Sequence, residues 1–365
     1  MSIFQYYDSQ EAKELLSNIL DFAMEHHPAG LSASFLEKDL WVVEILRLLF
    51  EEDMLDGAQV AFKGGTALSK CWGAIERFSE DIDLSIHWAH LAESEDETAD
   101  WQRTTHSRSQ IKRFRDRQGK RLEAWSGEFV KRLNERFTDY RIPELTAELV
   151  EGSQGEKIHI HYPSVTQNHA GYHLDHILLE FGGRNFGRPT TPIEIQSYVA
   201  DLPAMGIDFG GLEALLPHAV VNAYDPNFIL WEKLTALHQF STQTKDIKPE
   251  RLSRHWYDVD AIVRRGVAKP FECSKAPQEV VNMKSKRWAE NGVDYHHVLS
   301  KSAKFVPDAD RLSLIELDYR ASISGGLFFS EPASFAEIIR HIKEIEDAVN
   351  AHEYPKAQED PILNV

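Results

Sequence analysis

The chain has 365 residues, a formal net charge of −18 at pH 7, 42% hydrophobic residues and 10% aromatic residues. This length predicts two or three domains, and this composition supports a sizeable core and excludes global disorder. The negative charge opposes general adhesion to nucleic acids or anionic membranes, but it is compatible with a local basic groove.

The sequence favours a cytoplasmic protein. No segment approaches the roughly 18 consecutive apolar residues that a membrane span needs. The first residues, MSIFQYYDSQEAKE, lack the basic and apolar regions of a secretory signal. Cys71 and Cys273 match no metal-binding or redox spacing. We therefore expect reduced thiols, a cytoplasmic location and no membrane partner.

The first part of the chain alternates helix and strand patterns. Residues 9–50 carry apolar side chains at helical spacing and are interrupted at Pro28, which predicts two helices. AQVAFKGG predicts a short strand that enters a turn, residues 67–75 predict a helix, and DIDLSI predicts a strand with one polar and one apolar face. Residues 90–100 are acidic and indicate an exposed loop.

The second part of the chain changes from strands to helices. KIHIHYPSV and HILLEFGGR predict two further strands, and from about residue 206 the patterns are mostly helical. This order predicts an α+β fold. We expect an N-terminal α/β domain with a small mixed sheet over residues 1–205, a mainly helical domain over residues 206–352, and a frayed tail over residues 353–365.

A glycine turn follows the first predicted strand. Gly64 and Gly65 allow backbone N–H groups to approach an anion closely, and the helix that follows directs its positive end to the same place. The hydroxyls of Thr66 and Ser69 are further donors. The turn therefore predicts a phosphate site, although a glycine turn alone is a weak indication.

Two carboxylates follow the glycine turn, the first of them fifteen residues after Thr66. Asp81 and Asp83 lie two apart on a predicted strand, so they share one face at about 6.6–6.8 Å along the chain. Two such carboxylates repel each other unless a cation lies between them, and Mg²⁺ is commonly held by one or two carboxylates together with substrate phosphates. Alone, this pattern more often marks a solvated strand edge. Combined with the glycine turn, it is typical of proteins that bind nucleoside triphosphates.

These residues carry a resemblance to a known family. FKGGT followed by RFSEDIDL closely resembles motif I of the DNA polymerase β-like nucleotidyltransferase superfamily, and more narrowly that of the AbiEii/AbiGii toxin family. Four further stretches agree with that family: FLEKDLWVVEILRLLF, FILWEKLTAL, RHWYDVDAI and LSLIELDYRASISGGLFFSEPASFAEII. The resemblance therefore covers about residues 33–348. It implies a nucleotidyltransferase-type N-terminal domain and a helical domain that completes the active-site cleft.

The resemblance also implies a metal-binding carboxylate set. In the superfamily, two carboxylates on one strand and a third on a neighbouring strand bind the catalytic metals, and Asp81 and Asp83 match the first two. We assign the third to Glu180, which ends an apolar strand and is costly to bury without a partner. Asp175 is the alternative assignment, and an ion pair of Glu180 with Arg184 is the structural alternative. The implied metal is Mg²⁺ or Mn²⁺, and the implied substrate is an NTP.

Two helical stretches extend the implied site. Family members carry a lysine at the position of Lys233, which places this side chain at the triphosphate, although a surface lysine is an open alternative. In RHWYDVDAI, the resemblance assigns NTP binding to Arg254 and a catalytic role to Asp258. Many members have Asp where this chain has His255, so the role of that Asp either passes to His255 or is lost.

The sequence also contains a basic segment, two lysines and two histidines for which more than one role is possible. Residues 103–121 contain eight Arg or Lys and one Asp, which indicates either an exposed helix face or loop, or a contact to a nucleic-acid backbone. Lys63 and Lys70 lie near the glycine turn, but we interpret both as solvated surface lysines. His159 and His161 share a strand face, and without a third ligand nearby in sequence we interpret them as half-buried strand histidines.

The resemblance implies a Mg²⁺-dependent nucleotidyltransferase that moves a nucleoside monophosphate from an NTP to an acceptor. The expected acceptor is RNA, such as a tRNA 3′ end, and the expected context is a toxin–antitoxin or abortive-infection system with a cognate antitoxin. Two alternatives stay open. One is a catalytically silent nucleotide-binding or sensing module, which His255 supports, and the other is a small-molecule nucleotidyltransferase of antibiotic-modifying type.

Overall fold

The structure is a computed structural model, and it describes residues 2–93, 107–166, 176–208, 210, 216–248, 250–287 and 293–354. The chain divides into two compact units. Unit 1 contains Met1–His90 and Gly119–Tyr224, and unit 2 contains Leu91–Gln118 and Asp225–Val365. This division differs from the predicted boundary after residue 205, because a further strand after that residue pairs within the sheet of unit 1.

Unit 1 begins with the two predicted helices. A 3₁₀ turn, Ile3–Tyr7, precedes α1 (Gln10–His26) and α2 (Ala33–Glu51). Serine side chains start both helices, since the Ser9 hydroxyl accepts the backbone N–H of Ala12 and the Ser32 hydroxyl accepts that of Phe35. Helix α2 is buried on almost every side, which makes it a central element of the unit.

A seven-stranded mixed sheet forms the centre of unit 1 and confirms the expected α+β class. Its strands are β1 (Val60–Lys63), β2 (Ile82–His87), β3 (Thr146–Leu149), β4 (Lys157–His161), β5 (His176–Asn185), β6 (Thr190–Gln196) and β7 (His218–Tyr224). Their order is β3-β4-β5-β2-β1-β7-β6. The β2–β5 and β1–β7 pairs are parallel, and the other neighbours are antiparallel.

Two further helices follow α2 and lie beside the sheet. Helix α3 (Gly64–Lys70) begins directly where β1 ends, so it starts three residues earlier and ends five residues earlier than the predicted 67–75 helix. The long helix α4 (Arg108–Asp139) packs Trp125 and Phe129 against Phe181 of β5, with ring centroids 5.1 and 5.2 Å apart. Ile158 and Ile160 of β4 and Ile177, Leu179 and Phe181 of β5 are buried on one face, so Lys157, His159, His161 and Glu180 lie on the opposite face.

Unit 2 is mainly helical, as the sequence predicts. It contains the first part of α4, up to Gln118, and the helices α5 (Pro226–Thr242), α6 (Arg254–Arg264), α7 (Ala276–Arg287), α8 (Ala309–Ser324) and α9 (Phe335–Ala351), with a 3₁₀ turn at Tyr295–Leu299. Asp318 fixes the start of α6, because its carboxylate accepts the N–H groups of Arg251 and Ser253 at 2.7 and 2.8 Å. The buried Trp256 indole donates to the Phe305 carbonyl at 3.0 Å and ties α6 to the chain before α8.

Two further expectations concern residues that lie mostly outside the described part of the chain. Most of the acidic 90–100 loop and most of the 353–365 tail lie outside the described residues. Within the described ranges, every helix is either too short or too polar to cross a membrane.

Candidate active site

The glycine turn is shaped by the side chains that lie against it. Gly64 has a φ of +76°, and a Cβ at this position would lie 1.8 Å from Oδ2 of Asp83. A Cβ at Gly65 would lie 2.4 Å from Oγ of Ser79 and 2.8 Å from a guanidinium nitrogen of Arg77. Gly64 therefore requires glycine because of both its backbone conformation and the Asp83 side chain, whereas a larger residue at Gly65 would have to displace the ends of the Ser79 and Arg77 side chains.

The hydroxyls of α3 connect the turn to its surroundings. Thr66 is fully buried, and its hydroxyl donates to the Asp81 carbonyl at 2.6 Å, which holds the start of β2 against the helix. Ser69 pairs with the Tyr198 hydroxyl at 2.6 Å. The two predicted donors thus already have partners within unit 1.

Sheet register aligns charged residues from four neighbouring strands. Asp83 on β2 is paired in register with Lys63 on β1 and with Glu180 on β5, and Glu180 is paired in register with Lys157 on β4. Register partners in adjacent strands project to the same face of a sheet. The row therefore contains two adjacent carboxylates, flanked on each side by a lysine.

Lys157 is the partner of Glu180. Its Nζ lies 2.8 Å from Oε1 of Glu180, whereas Arg184 pairs with Glu156 at 3.1 Å. The hydrogen bond to Glu180 is the largest effect that raises the pKa of Lys157, and the charges of Asp81 and Glu156 act in the same direction. Asp81 is thus close enough to Lys157 to influence its ionisation. Asp175, the alternative third carboxylate, lies outside the described residues.

The site residues predicted in the second half of the chain lie in unit 2. Lys233 on α5 and Asp258 on α6 form an ion pair of 2.7 Å, with side chains that are 13% and 1% exposed. Lys233 is therefore not a solvated surface lysine. Arg254 is the first residue of α6, and its Nε donates to the Arg251 carbonyl at 3.2 Å. The His255 ring lies 5.2 Å from that of Phe240.

Lys70 differs from its sequence interpretation. We expected a solvated lysine, but its side chain is only 3% exposed and its Nζ lies 2.6 Å from Oδ1 of Asp39 on α2. Its ammonium also lies 4.0 Å from the centroid of the Tyr198 ring. Although burial disfavours the charged form, the adjoining Asp39 carboxylate keeps the pKa of Lys70 above its usual range. Lys70 therefore joins α3 to α2.

The described part of the basic segment is the first half of α4. Ile111, Phe114 and Gln118 are buried on one side of this helix, while Lys112, Arg113, Arg117 and Lys120 are exposed. Arg115 is half-buried. Residues 112–120 of the segment therefore present an exposed basic helix face, and the first residues of the segment, 103–106, lie outside the described part of the chain.

The sheet face that carries Asp83 and Glu180, here called the carboxylate face, also carries two residues that sequence reasoning missed, Lys157 and Glu148. Lys157 precedes the histidines of β4 and carries no recognisable motif, so only the pairing of β4 with β5 reveals it. Glu148 on β3 is paired in register with His159, which supplies the nearby carboxylate that the sequence interpretation lacked. Alternation along KIHIH was the available signal that Lys157, His159 and His161 share one face.

A strand that ends in a two-glycine turn is followed by a short helix, by Asp81 immediately before the next strand and by Asp83 on that strand, which is the arrangement expected of the nucleotidyltransferase class. A family model described as nucleotidyl transferase AbiEii toxin of type IV toxin–antitoxin systems matches residues 47–341. The chain belongs to this family. It is therefore a nucleotidyltransferase toxin of a toxin–antitoxin system, with an NTP as substrate and a cognate antitoxin as partner. This family generally uses a divalent metal.

Among solved structures, the chain is similar to MenT4, a nucleotidyltransferase toxin from Mycobacterium tuberculosis H37Rv. The sequence identity is 15% and the TM-score is 0.41, over 92% of this chain and 97% of that chain. A comparison with curated protein sequences finds no match.

Proposed function

We propose that the chain is a Mg²⁺-dependent nucleotidyltransferase that transfers a nucleoside monophosphate to RNA, such as a tRNA 3′ end, and that Asp81, Asp83 and Glu180 bind the metal. The register that pairs Asp83 with Glu180, with the Asp83 carboxylate lying directly over Gly64, is the observation that carries this proposal. The close approach of Asp83 to Gly64 supports a catalytic role for this carboxylate group, because a solvated surface carboxylate does not need a glycine at the position that it contacts.

The donor chemistry fits the proposed metal. Carboxylate oxygens are hard donors, which Mg²⁺ and Mn²⁺ prefer. Asp83 and Glu180 lie side by side on one face, and Asp81 immediately precedes β2, with its backbone held by Thr66. Carboxylates this close repel one another, and a divalent cation between them would lower that repulsion in addition to the contact of Lys157 with Glu180.

The reaction proposed for this site is an in-line displacement. The acceptor hydroxyl oxygen forms a bond to the α-phosphorus of the NTP, the bond from that phosphorus to the β-phosphate bridging oxygen breaks, and pyrophosphate leaves while the hydroxyl proton is released to solvent. A bound divalent metal would supply charge neutralisation at the attacking and leaving oxygens. The carboxylates position the reactants, because this chemistry depends mainly on orientation and electrostatics.

The lysine and arginine of unit 2 complete the proposal. We assign triphosphate binding to Lys233, whose ammonium is oriented by the buried Asp258 carboxylate. Arg254, at the first position of α6, is assigned to the same phosphates. The turn that we place beside the nucleotide consists of Gly64, Gly65, Thr66 and Ser69. The hydroxyls of Thr66 and Ser69 hold this turn in place through their contacts with Asp81 and Tyr198.

Pyrophosphate release and label transfer test the proposal. The purified protein is incubated with each labelled NTP and Mg²⁺, with and without total tRNA, and then with EDTA followed by Mg²⁺ or Mn²⁺. We expect transfer of label onto tRNA from at least one NTP, loss of transfer with EDTA, and recovery on addition of metal. The double variant Asp81→Asn/Asp83→Asn should retain its far-UV circular dichroism and lose transfer.

The matched control removes two carboxylates elsewhere in unit 1. Asp8 and Asp21 are exposed, so Asp8→Asn/Asp21→Asn changes the net charge equally and should keep full activity. Full activity in the Asp81→Asn/Asp83→Asn variant would contradict the assigned metal site. If pyrophosphate release depends on a small hydroxylated acceptor and tRNA has no effect, the acceptor is a small molecule rather than RNA.

A further inference from the structure

A second group of potential metal ligands lies on β3 and β4 of unit 1. Glu148, His159 and His161 each place one ligand atom within 4.8 Å of the others. Nε2 of His161 lies 3.1 Å from Oε1 of Glu148, and Nδ1 of His159 lies 3.9 Å from the same oxygen. One carboxylate oxygen thus faces two imidazoles.

Backbone pairing brings these side chains together. Glu148 is paired in register with His159, and His161 follows two residues later on the same face of β4. His176 on β5 is paired in register with His161, and its ring centroid lies 3.8 Å from that of His159. The three potential ligands are therefore held by two adjacent strands rather than by a loop, with His176 of a third strand beside them, which limits the rearrangement that ligand binding would require.

The chemistry of the group differs from that of the catalytic carboxylates. Asp81, Asp83 and Glu180 offer only oxygen, whereas this group offers two imidazole nitrogens and one carboxylate oxygen, a set suited to zinc and similar metals. Burial, followed by the charge of His176, lowers the pKa of His159, which favours the neutral imidazole that binds metals. His161 and Glu148 are 38% and 64% exposed, so a further coordination position is open to water.

We propose that Glu148, His159 and His161 form a binding site for a divalent transition metal ion of the zinc class, distinct from the carboxylates assigned to nucleotidyl transfer. The site lies on the same sheet face as those carboxylates, because Lys157 precedes His159 by two residues and pairs with Glu180. A metal bound by His159 would consequently stiffen the strand that positions Lys157.

Zinc binding to the full-length chain tests this proposal. Untagged protein that carries Asp81→Asn/Asp83→Asn is stripped with EDTA and titrated with Zn²⁺ against a chromophoric chelator, so that Asp81 and Asp83 do not contribute. We expect one Zn²⁺ per chain. Adding His159→Ala or His161→Ala should weaken binding at least tenfold, and Co²⁺ should give visible absorption bands that the same substitutions abolish.

The control is His218→Ala, which removes an exposed strand histidine on β7 and should leave Zn²⁺ binding unchanged. Absence of Zn²⁺ binding, or equal affinity with and without His159 and His161, would overturn the proposal. If an alanine variant does not fold by circular dichroism, Glu148→Gln is decisive, because this exposed position tolerates an isosteric amide. A weaker Zn²⁺ affinity in Glu148→Gln supports the site, and an unchanged affinity rules it out.

Discussion

Gly64 shows how a single residue determines the geometry of the carboxylate face. Its positive φ is a conformation that glycine adopts without cost, and its missing side chain leaves room for the Asp83 carboxylate. The glycine turn itself was predictable from the sequence, and its assignment to phosphate binding stays a prediction. The second role of the turn, as the surface on which Asp83 rests, was not predictable, because the sequence does not reveal that these residues, 19 positions apart, are in contact.

We predict that Gly64→Ala lowers the rate of label transfer on the order of 100-fold while the chain still folds. The added Cβ would displace the Asp83 carboxylate, and a misplacement of about 1 Å at a reacting centre can lower a rate on the order of 100-fold. The left-handed backbone adds about 1–2 kcal/mol of destabilisation. Label transfer from NTP and the melting temperature are the two measurements.

Gly73→Ala is the matched control for this variant. Gly73 also has a positive φ, of +56°, but a Cβ there would have no atom within 4 Å. The control should therefore show the same backbone cost and keep its activity. Equal activity of the Gly64→Ala and Gly73→Ala variants would show that contact with Asp83 has no catalytic importance.

At the scale of elements, local patterns predicted more than long-range contacts. The helices α1 and α2, the strand–turn–helix at Gly64 and strand β2 followed from spacing, capping residues and alternation. Glu180 was assigned on a resemblance, and only the β2–β5 register places it beside Asp83. Sequence spacing does not contain that register, because the two residues are 97 positions apart and the intervening chain forms α4, β3 and β4.

Helix α2 illustrates a second feature that the sequence does not reveal, the partners of buried charges. Its charged run Glu37-Lys38-Asp39 suggests an exposed face, yet all three side chains are buried. Each finds a partner from a distant segment: Lys38 pairs with Glu80 at 2.8 Å, Asp39 pairs with Lys70, and Glu37 accepts the Val165 N–H at 2.6 Å. Buried charges are stable only with such partners, and no local pattern identifies them.

We predict that Lys70→Met destabilises unit 1 by roughly 3–5 kcal/mol, because it leaves the Asp39 carboxylate buried without its charged partner. Urea unfolding monitored by tryptophan fluorescence measures this loss. Lys131→Met, at a position 67% exposed, removes the same charge and should change stability by less than about 0.5 kcal/mol. Adding Asp39→Leu to Lys70→Met should restore part of the loss. Unchanged stability of Lys70→Met would instead favour a surface or ligand-binding role for Lys70.

For the whole molecule, the uneven distribution of charge bears on the acceptor. Residues 108–121 carry seven Arg or Lys and one Asp, a local charge of +6 in a chain of net charge −18, so the remainder carries −24. An acidic protein that repels nucleic acid overall needs a localised basic surface to bind it. The exposed face of α4 that contains Lys112, Arg113 and Arg117 is such a surface among the described residues.

We therefore predict that Lys112→Gln/Arg113→Gln/Arg117→Gln raises the KM for tRNA and leaves the KM for NTP unchanged. Removing three phosphate contacts should make the dependence of log affinity on log salt concentration shallower by about 2 to 3, since each contact contributes roughly 0.7–0.9. The measurements are label transfer at several tRNA concentrations and RNA binding between low and high salt.

A control with the same loss of charge separates a local contact from a general electrostatic effect. Lys301, Arg320 and Arg340 are more than half exposed and lie on other segments of unit 2, so their triple glutamine variant changes the net charge equally. If both triple variants weaken tRNA binding to the same extent, net charge alone accounts for the effect. If neither does, the basic face of α4 is a solvated helix surface, and an acceptor without a phosphate backbone becomes the better assignment. Selective weakening by the α4 variant alone is the result that an RNA acceptor bound at this face requires.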